Sequence, residues 1–86
     1  MMVTKVEIYG TSSCRKCANV RDLLDGKKVE YVDYMIDLMP LDKDEMIRRS
    51  GHKNYPQLFI NDEHIGGEKE TMELEIEGEL DKLLGL

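Results

Sequence analysis

The chain has 86 residues, with 12 Lys and Arg against 18 Asp and Glu and a formal net charge of −6. That acidic balance excludes a general nucleic-acid-binding surface, and no stretch offers the roughly 20 apolar residues that a membrane-spanning helix needs. The length is that of a single domain over residues 1–86, and the N-terminus lacks the apolar run of a secretory signal, so a cytoplasmic location is expected.

Residues 3–9 alternate, with Val6 and Ile8 on one face, and predict a strand. Residues 10–13 form a turn, with Ser13 as the candidate helix N-cap. Residues 14–25 carry Cys17, Val20, Leu23 and Leu24 at helical spacing, and Gly26 stops the pattern. Residues 29–36 are rich in β-branched and aromatic side chains and predict a second strand. Strand, helix and strand in so short a span imply a parallel unit with a right-handed crossover.

A second helix is expected to follow residues 37–40 and run to about residue 50, capped by Gly51. Residues 57–60 and 63–65 flank Asn61-Asp62 as a hairpin, which Gly66-Gly67 ends. Residues 68–86 are helical, with a break at Gly78. The resulting architecture is α/β, a four-stranded mixed sheet covered by helices on both faces.

Charge is unevenly spread. Residues 1–28 hold six bases and three acids, whereas residues 62–81 hold nine acids and one base. The acidic stretch reads as a solvated helix surface, and the basic one as a surround that attracts anions.

The two cysteines stand as Cys14-Arg15-Lys16-Cys17 at the start of the first helix. In a reducing compartment that pattern points to catalysis or metal binding rather than to a structural disulfide. A thiol at a helix N-terminus is biased toward its reactive thiolate, which makes Cys14 the candidate nucleophile. Cys17, one turn on and facing inward, is the candidate resolving thiol; the plainer reading is a small buried hydrophobe. Arg15 and Lys16 are either solvated surface or the active-site electrostatics, stabilising the thiolate and making the pair more oxidising. His52 and His64 are too far apart in sequence for a zinc-finger spacing, so no metal is expected.

Four segments in order resemble the glutaredoxin family. They are Ile8-Tyr9 with Thr11-Ser12-Ser13-Cys14 and Cys17, the stretch from Gly51 through Tyr55-Pro56 to Asn61, the pair Gly66-Gly67, and the ending from Glu77 to Gly85. The resemblance covers nearly the whole chain. It implies a thioredoxin-like three-layer fold and a monomeric thiol–disulfide oxidoreductase acting on protein disulfides and glutathione mixed disulfides. Glutathione is then the co-substrate, with no permanently bound cofactor. The resemblance also implies a substrate or glutathione groove at Thr11, Tyr55, Pro56, Gly67, Glu68 and Lys69. Its Tyr55–Pro56 bond would be cis, and the Tyr55 backbone would pair with substrate like an added strand.

This chain departs from the family pattern at several of these positions. Cys-Arg-Lys-Cys replaces the usual Cys-Pro-Tyr-Cys, Thr11 replaces a Lys that binds a glutathione carboxylate, and Lys69 stands where Asp is common. Arg48, Arg49 and Lys53 are candidates to supply the missing charge, and Gly66-Gly67 to offer backbone N–H groups to a carboxylate. The departures admit a flavoprotein reductase of the thioredoxin-reductase type, or another low-molecular-weight thiol, as electron source. An alternative of a different class is an iron–sulfur carrier, two chains sharing a [2Fe–2S] cluster through Cys14 with glutathione as outer ligands. A non-catalytic interaction domain is a third, against which the intact Cys pair argues.

Overall fold

A computed structural model describes residues 4–86 as β1 (Val6–Gly10), α1 (Arg15–Gly26), β2 (Val32–Met35), α2 (Pro40–Ser50), β3 (Gln57–Ile60), β4 (Glu63–Gly66), α3 (Glu68–Ile76) and α4 (Glu79–Leu83). The sheet order is β2-β1-β3-β4, with β1 and β2 parallel and the other neighbours antiparallel. This is the expected mixed four-stranded sheet. None of the helices among the described residues is long and apolar enough to cross a membrane.

Every residue of β1 is buried. Val6 and Ile8 join Val20 and Leu24 of α1, Leu58 and Ile60 of β3, Leu80 of α4 and Leu84 in one apolar cluster. Tyr9 belongs to a second cluster with Ile36, Met46 of α2 and Phe59. The alternation in the sequence revealed the first of these faces. The second is also closed, because α2 covers it.

That second face carries a buried carboxylate. Glu7 is only 3% exposed, and Arg49 of α2 meets it with a two-pronged fork, Nη2 to Oε1 at 3.1 Å and Nη1 to Oε2 at 3.2 Å. Tyr34 donates to the same carboxylate at 3.0 Å, and the guanidinium lies 4.0 Å from the Phe59 ring centroid. Burial works to raise the Glu7 carboxyl, but hydrogen bonds from Arg49 and Tyr34 overcome it and hold the group below its ordinary range. Arg49 is therefore committed to the fold, while Arg48 is exposed beside Glu45.

Three boundaries differ from expectation. β2 is an edge strand of four residues, not the eight of 29–36: after the left-handed turn at Lys28 (φ 58°) the Val29 N–H still bonds back to the Leu24 carbonyl of α1, and pairing with β1 begins only at Val32. Gly26 is the last residue of α1, and the Lys27 N–H closes the helix onto Leu23 and Leu24 carbonyls. β1 begins at Val6, and Val3 lies outside the described residues. Gly78, at φ 75°, separates α3 from α4 as expected.

Candidate active site

Cys14 caps α1 itself, in extended conformation, and its Sγ accepts the backbone N–H of Cys17 at 3.2 Å. The cap was expected at Ser13. A sulfur at this position lies at the positive end of the helix with a donor aimed at it, an arrangement that stabilises negative charge. Arg15 and Lys16 are exposed in the first helical turn. The preceding turn is fastened to the β2–α2 loop, where Ser12 Oγ donates to Asp37 Oδ2 at 2.6 Å. That hydrogen bond holds the Asp37 carboxyl below its usual range.

The two sulfurs differ in setting. Cys14 is half-buried and Cys17 is fully buried, and both are free thiols. Cys17 packs against the end of β1 so closely that a methyl group at Gly10 would sit 2.7 Å from its Sγ. Burial, reinforced by the hydrogen bond to Cys14, pushes the Cys17 thiol up to about 12.

The Tyr55–Pro56 bond is cis, Pro56 is buried, and Tyr55 is exposed. A cleft of about 150 Å³ is lined by Lys16, Tyr55, Pro56, Gly67, Glu68 and Lys69, together with Asn54 and Glu70. The fold thus gathers five of the six expected groove residues. Thr11 lies outside this lining; it is buried, and its carbonyl accepts Arg21 Nη1 at 3.1 Å.

Asn54 and Glu70 were not anticipated. Glu70 Oε1 accepts the Gly67 N–H at 2.7 Å, so this protein's own carboxylate occupies the backbone donor expected to serve a ligand. Gly67 also approaches the Pro56 loop closely, since a methyl group there would stand 3.2 Å from the Pro56 carbonyl oxygen. Glu68 is tied to α1 by Asn19 Nδ2 at 2.6 Å.

A family model described as Glutaredoxin matches residues 6–65. The chain belongs to the glutaredoxin family. It is 39% identical over 82 residues to Glutaredoxin 3 of Escherichia coli K12, a match covering 95% of this chain and 99% of that one. The solution structure of glutaredoxin from Brucella melitensis is similar, with a TM-score of 0.81 and 40% identity, over 96% of this chain and 89% of that one. A buckwheat glutaredoxin–glutathione complex shares the fold, with a TM-score of 0.87 at 24% identity, covering 95% of this chain and 77% of that one. The glutaredoxin family acts on glutathione and protein disulfides, and this chain is a glutaredoxin-like thiol–disulfide oxidoreductase.

In this glutaredoxin a second cavity of about 270 Å³ adjoins the cleft through Asn54 and Glu70, and is lined also by His52, Gln57 and His64. The hairpin brings the two histidine rings within 5.7 Å between centroids, and His64 Nε2 lies 2.7 Å from Gln57 Oε1. Burial, and then the neighbouring His52, push the His64 imidazole below its ordinary value. Their separation in sequence hid this proximity, which arises because the hairpin folds His64 of β4 back toward the α2–β3 loop that carries His52. Among the described residues no group of three or more His, Cys, Asp or Glu side chains is arranged to hold a metal ion.

Proposed function

We propose that this glutaredoxin reduces glutathione mixed disulfides and protein disulfides through Cys14 as attacking thiolate and Cys17 as resolving thiol, with glutathione as the electron donor. The asymmetry of the pair carries the reading. Cys14 Sγ stands half-exposed at the helix N-terminus with a backbone donor upon it, while Cys17 is buried with its thiol held protonated.

The Cys14 thiolate attacks one sulfur of the substrate disulfide, and the other sulfur leaves with the bonding electrons and takes a proton from water. Cys17 then loses its proton to solvent and attacks Cys14 Sγ. The Cys14–Cys17 bond forms as the second substrate thiol departs. Two electrons have passed to the substrate, and two glutathione molecules return them, leaving as glutathione disulfide.

The cleft beside the pair supports glutathione as donor. At its rim Lys16 and Lys69 offer positive charge beside the carboxylates of Glu68 and Glu70, which the Asn19 amide and the Gly67 N–H engage, and the exposed Tyr55 leads into Pro56 at its wall, where an extended ligand can pair with backbone.

The test is turnover of a glutathione mixed disulfide, with glutathione or a thioredoxin-reductase system as donor. Cys14→Ser should abolish turnover, while Cys17→Ser should retain the glutathione-driven reaction. Turnover with the flavoprotein system alone would overturn glutathione as donor, and full activity in Cys14→Ser would overturn the division of roles.

A further inference from the structure

Arg21 sits one helical turn beyond Cys17, with its side chain only 12% exposed. Its fork reaches three neighbours. Nη1 donates to the Thr11 carbonyl at 3.1 Å, Nη2 contacts Met35 Sδ at 3.4 Å, and Nε stands 3.0 Å from Asp33 Oδ2. The Nε–Asp33 pair lacks hydrogen-bond alignment and leaves Nε as a buried polar atom without a hydrogen-bond partner. The guanidinium is therefore held by the turn before Cys14 and by the edge strand β2, with no carboxylate squarely matched to it.

Gly10 locates this charge relative to the buried thiol. A methyl group at Gly10 would lie 2.7 Å from Cys17 Sγ and 3.1 Å from Arg21 Nη2. Those two distances place sulfur and guanidinium less than about 6 Å apart, within the range at which an opposite charge favours an ionised group. The absence of a side chain at Gly10 is what leaves this approach open.

We propose that Arg21 is the positioning residue of the second thiol: it braces the active-site turn through Thr11 and presents positive charge to Cys17 as that sulfur becomes anionic to close the disulfide. The inference rests on the assignment of Cys14 as attacker and Cys17 as resolver. The need is plain from the site. Burial and Cys14 both oppose ionisation of Cys17, and the opposing influences are the Thr11 backbone and Arg21. The titratable groups that bear on this centre are Cys14 at the cap of α1, Arg21 on α1, Tyr31 ahead of β2, Asp33 on β2 and Asp37 beyond it. The two carboxylates temper Arg21 without touching the sulfur.

The experiment separates the two exchange steps. Reduced protein is mixed with one equivalent of a symmetric chromogenic aryl disulfide. Attack by Cys14 releases one coloured thiolate and leaves the other half bonded to Cys14; closure by Cys17 releases the second. Both releases are followed by absorbance across pH.

For Arg21→Gln the first release should keep its rate. The second should slow about three- to tenfold near neutral pH, the thiolate fraction falling while the sulfur becomes more nucleophilic, and its pH profile should move upward. Arg21→Lys, which keeps the charge and loses the fork, should recover most of the second rate.

An unchanged second rate and pH profile in Arg21→Gln would overturn the proposal. So would equal slowing of both releases in the two variants, the mark of a merely structural role. A wild-type protein that released one equivalent and stopped would overturn the division between Cys14 and Cys17, and the role of Arg21 with it.

Discussion

Asn19 and Glu68 are 49 residues apart in sequence, yet Asn19 Nδ2 donates to Glu68 Oε2 at 2.6 Å. The bond joins the outer side of the helix that carries both cysteines to the first residue of α3, at the rim of the cleft. The cleft is therefore bounded by two elements fastened directly to each other. Asn19→Ala should change stability by no more than about 0.5 kcal/mol, because the bond is exposed and alanine is the better helix former. It should also raise the KM for a glutathione mixed disulfide, because the freed Glu68 carboxylate repels an anionic ligand. Calorimetry and initial-rate kinetics on the same variant check both effects.

The unequal burial of the two sulfurs predicts unequal labelling. Brief treatment of reduced protein with iodoacetamide at neutral pH should modify Cys14 and spare Cys17, whose thiol burial pushes up to about 12. Peptide mass spectrometry after trypsin digestion gives the ratio directly. Labelling of Cys17 should rise only under strongly alkaline conditions.

Gly10→Ala tests the packing at the end of β1. The added methyl would press on Cys17 Sγ at 2.7 Å and Arg21 Nη2 at 3.1 Å. Overpacking of this kind costs about 1–3 kcal/mol. Urea denaturation should show the midpoint falling, and closure of the Cys14–Cys17 disulfide should slow as the second thiol is displaced.

The Glu7–Arg49 fork makes stability depend on acid. The Glu7 carboxyl titrates below its ordinary value of 4.5 in the folded protein, so the unfolded chain takes up its proton first as pH falls. The stabilisation is present above that ordinary value and is lost as pH drops below it through the folded-state value. Glu7→Gln should flatten this part of the profile in denaturation measurements taken between about pH 3 and pH 7. Arg49→Met, which strands a buried carboxylate, should cost about 3–5 kcal/mol near neutral pH.

What could be read from the sequence follows from what local patterns record. Val6 and Ile8 alternate, Asn61 and Asp62 accept the positive φ values of 51° and 66° that a tight hairpin needs, and the spacing of Cys14 and Cys17 matches one helical turn. Those features need only neighbours in the chain. Arg21, Arg49 and Glu70 were not legible as partners of Thr11, Glu7 and Gly67. Periodicity gives the face a charged residue occupies and never the group it will meet. Glu7 alternates with Val6 and Ile8, a pattern that by itself assigns a charged residue to the solvated face, whereas α2 covers it. Likewise Ser13 satisfied every local preference for a cap, and a cysteine one residue later took the role.

That choice of cap joins two properties usually treated apart. A Cys14 thiolate that enters a disulfide loses its charge and becomes a poorer acceptor for the Cys17 N–H, so the first turn of α1 is better held by the thiolate than by the disulfide. Any free energy the helix gains from an anionic cap is free energy that favours the dithiol over the disulfide. Helix capping at Cys14 is thus also a setting of electron affinity, and a group that strengthens the hold of the α1 N-terminus on an anionic Cys14 sulfur shifts the protein toward accepting electrons.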